Sequence, residues 1–210
     1  LTSEKKSYKI RLNSETKAWQ GQMTINLNKH PNDESRMRNK IAFDLLRLIP
    51  DLTSMQSSFV HLQVLDLSET AGVDTFTDYG LFTQIEQGNE LFLKTHGLDQ
   101  NGNLYKANYF EFHTGITQLK NVDDPNYDAA KFDEILGIGA GRNHLKLLQM
   151  ISDVNNGALD IDKVLDKHFC RDNYFAWLAF NILVGNYDTQ TQSYYLYSPH
   201  DSLTWYFLPW

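Results

Sequence analysis

Apolar and polar residues alternate in several short segments across the first half of the chain. This period of two predicts β-strands, because successive side chains of a strand point to opposite faces of a sheet. The predicted strands cover residues 7–12, 22–27, 59–67 and 79–86. Residues 102–112 predict a further strand with a turn, or a pair of strands. The first half is therefore expected to be a set of antiparallel strands.

One longer helix, at residues 36–49, is expected to interrupt these strands. Its apolar residues recur every three or four positions, the spacing of one helix face, and they are Met37, Ile41, Leu45 and Leu48. The polar cluster before the helix is typical of a helix start and consists of Asn32, Asp33 and Ser35. A short helix is also predicted at residues 88–97.

The second half of the chain is predicted to be mostly helical. Residues 143–155 and 160–169 are amphipathic, which favours helices that each pack one face on a core. Residues 172–184 are apolar on nearly all sides, so we expect a helix buried in the middle of a lobe. A β-hairpin, YYLYS–PHD–SLTWYFL, then closes the chain.

The string GIGAG at residues 137–141 has the composition of a phosphate-binding loop but not its pattern. A dinucleotide-binding fingerprint needs G-x-G-x-x-G between the strand and the helix of a βαβ unit. The glycine spacing differs here, and no parallel βαβ pattern surrounds the string. We interpret it as a flexible loop before the helix that begins near Asn143.

Composition narrows the class of protein. The chain has 210 residues, 41% of them hydrophobic, which is enough for one large domain or for two lobes with separate cores. A formal charge of −7 argues against a broad nucleic-acid surface. The single cysteine, Cys170, excludes an intramolecular disulfide framework and is expected to be a small buried residue. No apolar run approaches the ~20 residues that span a bilayer, and the scattered histidines indicate no zinc site.

The segment from Asn181 to Tyr197 carries the most chemical information. An apolar helix pattern stops at Gly185, Asp188 follows, and a strand pattern begins six residues after this aspartate. Rigid elements on both sides can hold such a carboxylate towards a substrate, although an aspartate that only starts a turn fits the same spacing. Protein kinases place their catalytic aspartate in a loop that reads D-x-x-x-x-N. Here the fifth position after Asp188 is Ser193.

Four strings of the sequence resemble motifs of the spore-coat CotH family of kinase-like proteins. They are KKSYKI, INLN…DESRMRNKIAFDLL, YGLFTQIE and NYDTQTQSYYLY…WYFLPW. The strings keep the family's order and cover nearly the whole chain. The resemblance implies an α+β, atypical protein-kinase-like fold with an antiparallel β-rich N-lobe and one inserted helix. A mainly helical C-lobe with a catalytic-loop hairpin would follow.

The resemblance also implies lobe boundaries and an activity. Residues 1–105 would form approximately the N-lobe and residues 106–210 the C-lobe of a single domain. Trp210 closes an apolar strand with no polar exit, so we expect a truncated domain that lacks the last part of the C-lobe. Active members of the family bind ATP with magnesium and phosphorylate serine residues of proteins. Members are often spore-coat or cell-surface proteins.

The family's catalytic residues map onto the end of the chain. Asp188 matches the catalytic aspartate, which would accept the proton of a substrate hydroxyl. Ser193 stands where active members have an asparagine that helps to hold the metal, and Gln192 stands where they have a histidine. The main metal-binding aspartate of the family would follow Trp210. These departures leave open whether the site is catalytic or degenerate.

The resemblance further implies five nucleotide-binding residues. Tyr105 and Trp205 would sandwich the adenine ring, although packing in the core is the alternative for both. Glu86, Lys6 and Arg38 would lie around the phosphates, and solvent-exposed surface charge is the alternative for each.

Three functions remain open from the sequence. The first is a CotH-like kinase, or a nucleotide-binding derivative, whose partner is a spore-coat or surface protein with an accessible serine. The second is a catalytically inactive pseudokinase that serves as a structural or interaction module. The third, suggested only by the aromatic and acidic composition, is a carbohydrate-binding or adhesion domain. No nucleic-acid partner and no membrane span are expected.

Overall fold

The structure is a computed structural model that describes residues 6–13, 18–19, 21–30, 32–65 and 75–210. The fold is α+β, and the described residues form two four-stranded antiparallel sheets and six α-helices. Contacts divide the chain into two compact units. Unit 1 comprises Leu1–Leu45 and Met55–Gln87, and unit 2 comprises Leu46–Ser54 and Gly88–Trp210.

The sheet of unit 1 confirms the four strands that the alternating pattern predicts. The strands are β1 (Tyr8–Arg11), β2 (Thr24–Asn28), β3 (Ser57–Val64) and β4 (Thr77–Ile85). They pair in the order β1-β2-β4-β3, and every neighbouring pair is antiparallel. Residues 66–74, which include the end of the strand predicted at residues 59–67, lie outside the described residues.

Helix α1 spans Arg38–Leu46, lies in unit 1 except for its last residue, and confirms the predicted helix. Three of the apolar residues whose spacing predicts this helix, Met37, Ile41 and Leu45, are nearly half exposed, whereas Phe43 is buried. The helical period therefore locates the element correctly without identifying its buried face.

The sheet of unit 2 contains the predicted C-terminal hairpin. Its strands are β5 (Asn103–Ala107), β6 (Leu136–Ala140), β7 (Tyr194–Ser198) and β8 (Tyr206–Pro209), in the order β6-β5-β7-β8. All three pairings are antiparallel. Because β5 is a central strand of this sheet, residue 105 lies inside unit 2, whose longer segment begins at Gly88. The lobe boundary near residue 105 stays a prediction.

Strand β6 corrects the interpretation of GIGAG as a flexible loop. Its glycines permit close backbone packing: a Cβ atom on Gly139 would lie 3.0 Å from the carbonyl oxygen of Gly88 and 3.1 Å from a methyl carbon of Leu104. Gly141 ends the strand with a φ of +80°, a left-handed conformation that favours glycine. These contacts join residues far apart in sequence, so the local pattern does not indicate them.

Five helices belong to unit 2. They are α2 (Glu90–Thr95), α3 (Ala129–Ile135), α4 (Leu145–Val154), α5 (Ile161–His168) and α6 (Arg171–Leu183). Helix α3 has no counterpart in the predicted elements. Asn89, Asp128 and Asp160 cap the N-termini of α2, α3 and α5 by accepting backbone N–H bonds, which satisfies donors that a helix start leaves free.

Helix α6 is not buried on nearly all sides as its composition predicts. Its buried face carries Asn173, Trp177 and Phe180, whereas Ile182 and Leu183 are 71% and 83% exposed. The described part of unit 2 covers α6 chiefly from the side of β8. The apolar sequence of the helix alone could not show whether one face of α6 or two faces pack against other elements.

The structure also bears on the cysteine, on metal-ligand clusters and on membrane-spanning helices. Cys170 has a free thiol and is half-buried, so it is less enclosed than expected. Within the described residues, no three His, Cys, Asp or Glu side chains gather as a metal site. The same residues form no helix with the length and apolar character needed to cross a bilayer.

A buried histidine lies at the start of α4. The side chain of His144 is fully buried, its Nδ1 lies 2.7 Å from the Tyr105 hydroxyl, and its ring stacks on Phe132 at 4.2 Å between centroids. Its backbone N–H donates to Asn121 Oδ1 at 2.7 Å. Burial lowers the pKa of His144 from 6.5 to about 4, because the charged imidazolium loses its hydration.

We expect unit 2 to lose stability in mild acid through His144. As the pH falls from 7 towards 4, the unfolded chain binds a proton near pH 6.5 that the folded chain does not bind, so the free energy of unfolding falls by up to about 3 kcal/mol. Urea titrations across this pH range measure the loss. The variant His144→Gln should lose less stability over the same range, and an equal loss would contradict this assignment.

Candidate functional site

Asp188 lies on an exposed loop between α6 and β7. This segment, residues 184–193, is called the Asp188 loop below and includes one turn of 3₁₀ helix, Tyr187–Gln190. The Asp188 side chain is exposed, and its carboxylate forms no hydrogen bond or ion pair with any residue that the structure describes. The carboxylate is therefore available to an external hydroxyl group.

The N-terminal side of the Asp188 loop is tied to the last turns of α6. Gly185 has a φ of +65°, which lets the chain leave the helix. Asn186 donates its backbone N–H to Asn181 O and its side-chain Nδ2–H to Asn181 Oδ1, both at 2.9 Å. Asn181 in turn donates to the Trp177 carbonyl oxygen at 2.8 Å. These successive hydrogen bonds between amide groups fix the loop to a buried part of the helix.

The C-terminal side of the loop is tied to the residues at and after the end of β5. The Phe110 N–H donates to Thr191 O at 2.7 Å, and the Ser193 N–H donates to Ala107 O at 3.1 Å. Anchoring on both sides reduces the conformations open to the Asp188 backbone. Such preorganisation is what a catalytic carboxylate requires.

Ser193 has a left-handed backbone with a φ of +61°. Glycine and asparagine adopt this region with less strain than serine does. We expect Ser193→Gly to raise the free energy of unfolding by up to about 1 kcal/mol and Ser193→Asn by a smaller amount. Thermal unfolding of both variants measures the gain. Half-buried Ser202 lies outside this loop and has no left-handed φ. The control Ser202→Gly should give no gain, and an equal gain there would contradict the strain at Ser193.

Tyr105 and Trp205 pack against each other in the core of unit 2. Both side chains are 0% exposed, their ring centroids lie 5.9 Å apart, and the ring planes are tilted by 33°. The Tyr105 hydroxyl also accepts a hydrogen bond from Asn103 Nδ2 at 2.8 Å. Rings in direct contact leave no gap for a purine. The structure therefore shows both rings packed in the core of unit 2, and the adenine clamp stays a prediction.

The three residues predicted around the phosphates are separate in unit 1. Glu86 is buried, and its carboxylate accepts from Gln22 Nε2 at 3.0 Å and from the Gln56 N–H at 2.9 Å. Lys6 is exposed, and Arg38 lies with its Nε 3.7 Å from Asp33 Oδ1. Neither cation forms an ion pair with Glu86. The structure therefore does not bring this predicted set together.

Two lysines that the sequence did not single out have specific environments. Lys29 is buried in unit 1, donates to the Tyr79 carbonyl oxygen and lies 4.1 Å from the centre of the Phe82 ring. Lys106 lies on β5 with its Nζ 4.3 Å from the centre of the Trp210 ring. For Lys106, the only hint in the sequence was its position directly after Tyr105. For Lys29, the only hint was its position just after a predicted strand.

Among the described residues, no set of side chains forms a magnesium site by itself. Ser193 offers one hydroxyl oxygen beside the strand, whereas Mg²⁺ prefers six oxygen ligands in near-octahedral geometry. The described residues contain no cluster of acidic or histidine ligands that includes Asp188. We therefore assign no step of a reaction to a metal held by this chain.

An α+β chain with an exposed aspartate on an anchored loop between a helix and a strand is compatible with the kinase-like class of folds. The family model described as "CotH kinase protein" matches residues 1–210, so the chain belongs to the CotH family. The chain is also similar to the inner spore coat protein H of Bacillus subtilis (strain 168). The two are 23% identical over 208 residues, which are 99% of this chain and 53% of that protein. The chain thus spans about half the length of this relative.

Proposed function

We propose that this chain carries the catalytic loop of a protein kinase that transfers the ATP γ-phosphate to serine. The observation that carries the proposal is Asp188: an exposed carboxylate without a partner in the described residues, on a loop anchored to α6 and to the end of β5. Membership of the CotH family supports the same reaction class. The substrate would be a protein of the spore coat, in keeping with the name of the relative.

In the proposed reaction, Asp188 accepts the proton of the substrate serine. The serine oxygen forms a bond to the γ-phosphorus while the bond between that phosphorus and the β,γ-bridging oxygen breaks, which leaves phosphoserine and ADP. The proton moves from the serine hydroxyl to the Asp188 carboxylate. Magnesium, when bound, would neutralise charge on the phosphates. The contribution of the chain itself is to hold the carboxylate in place.

A pseudokinase is the second candidate. Two observations favour it. Ser193 stands where active family members have a metal-binding asparagine, and the rings of Tyr105 and Trp205, the predicted adenine clamp, are in direct contact. In this function the fold would serve as a structural module of the spore coat, since a fold does not fix a function.

Calorimetric titration with ATP, with and without magnesium, separates these functions when it is combined with an assay of phosphate transfer to serine. We expect magnesium-dependent binding of ATP and transfer of phosphate. Binding without transfer would leave the pseudokinase, and absence of both would contradict nucleotide chemistry in this chain.

A further inference from the structure

A polar groove lies at the end of the unit 2 sheet that is remote from Asp188. It has a volume of about 490 Å³ and is lined by Glu90, Gln100, Asn101, Gly141, Arg142 and His200. Strand β7 begins beside the Asp188 loop and ends at Ser198, two residues before His200. The five residues of this strand separate the groove from the loop by roughly 16 Å. The groove is therefore a site distinct from the candidate catalytic loop.

Hydrogen bonds fix the backbone on two sides of the groove. The Asp99 carboxylate accepts from the Asn101 N–H at 2.9 Å and from the His200 N–H at 2.7 Å. The Asp99 N–H donates to the Tyr197 hydroxyl at 2.8 Å. One carboxylate thus joins the turn before β5 to the turn of the β7–β8 hairpin, and the side chains of both turns start from fixed positions.

The position of Arg142 is also defined by the backbone. Gly141 has a φ of +80°, and a Cβ atom there would lie 2.6 Å from Asn103 Nδ2. The chain therefore passes tightly over Asn103 directly before Arg142. Asn103 holds the next segment as well, because its Nδ2 donates to the Asn143 carbonyl oxygen at 2.9 Å.

The charges in the groove indicate the kind of ligand. The Arg142 guanidinium forms no hydrogen bond or ion pair with any described residue, and the His200 side chain is 68% exposed with its Nε2 3.7 Å from Asp201 Oδ1. A guanidinium group binds planar or tetrahedral oxyanions through two parallel N–H bonds. The amide groups of Gln100 and Asn101 add hydrogen-bond donors. No residue with an aliphatic side chain and no Phe, Tyr or Trp lines the groove.

We infer that this groove binds a ligand through an oxyanion group, phosphate or carboxylate. Arg142 supplies the fixed positive charge, and His200 with the two amides supplies further donors. Glu90 lies on the same groove, so it opposes the bound anion and limits the affinity. The inference is independent of the proposed phosphate transfer, because binding requires neither ATP nor Asp188.

Fluorescence polarisation with labelled peptides tests the groove in the absence of nucleotide. Three peptides share a neutral Gly/Ala/Asn sequence and differ only at the central residue, which is phosphoserine, Glu or Ser. We expect the phosphoserine or the Glu peptide, or both, to bind and the Ser peptide not to bind. The preference between the two anionic peptides identifies the source of the oxyanion, and inorganic phosphate should compete if phosphate is that source.

Three variants assign the binding to the groove. Arg142→Gln should weaken binding at least about tenfold, because it removes a charge-assisted pair. Glu90→Gln should strengthen it, because it removes a like charge. Lys163→Gln, an exposed cation on α5, is the matched control and should change nothing. Thermal unfolding checks that each variant is folded. Absence of binding by both anionic peptides, equal binding of the Ser peptide, or equal effects of Arg142→Gln and Lys163→Gln would overturn the inference.

Discussion

Replacing Asp188 by Asn is expected to lower the rate of phosphate transfer to serine by about two to four orders of magnitude. The amide keeps the size of the side chain but cannot accept the proton of the serine hydroxyl at neutral pH. The fold should be unaffected, because the carboxylate has no partner among the described residues that would be lost. The measurement is the initial rate of phosphate incorporation with magnesium and ATP in excess.

Asp172 provides the matched control for Asp188. It is an exposed aspartate in the first turn of α6, at the opposite end of the same helix. Asp172→Asn removes the same charge at the end of α6 that is remote from the Asp188 loop, so a general electrostatic effect would appear in both variants. Loss of activity in both to the same degree, or in neither, would contradict the role of Asp188 as the base.

Replacing Asn173 by Leu is expected to destabilise unit 2 by about 3–5 kcal/mol. Asn173 is buried on α6, and its Oδ1 accepts from the Phe207 N–H at 2.7 Å. Its Nδ2 donates to Phe207 O at 3.1 Å and to Asp51 O at 2.9 Å. The amide thus pairs with the outer edge of β8 as a neighbouring strand would. Leucine leaves the buried N–H and carbonyl groups of Phe207 and the half-buried carbonyl group of Asp51 without this partner.

Urea unfolding followed by circular dichroism measures this loss. Ala179→Leu is a suitable control, because it adds a leucine to the exposed face of the same helix and should change the free energy of unfolding by less than about 0.5 kcal/mol. A loss below about 1 kcal/mol for Asn173→Leu would show that Asn173 does not support the edge of β8.

Local patterns predicted most of the elements of this fold. Alternation in residues 7–12 and 22–27 predicted β1 and β2, and the stop of the apolar pattern at Gly185 predicted the end of α6 close to its observed position. The same stop placed Asp188 on a loop between a helix and a strand, as the structure has it. These features depend on neighbours along the chain, which a single sequence displays directly.

The remaining features depend on contacts between residues that are distant in sequence. GIGAG forms a strand because β5 pairs with it, and the glycine composition alone suggested a loop. Tyr105 and Trp205 are in contact although 100 positions separate them, and their aromatic character fits a ligand site and a core equally well. Asn173 and Asn186 carry hydrogen bonds that hold β8 and the Asp188 loop, yet an asparagine in a helix or a loop gives no such signal.

Intact-mass spectrometry of the purified protein after incubation with magnesium and ATP tests the central claim most directly, when it is followed by mapping of the modified residues. A serine-containing acceptor protein is included, and the Asp188→Asn variant is treated in parallel. The proposed catalytic loop predicts that phosphate appears on serine with the wild-type protein and is reduced at least about a hundredfold with the variant. Absence of phosphate in both samples, or equal incorporation in both, would contradict it.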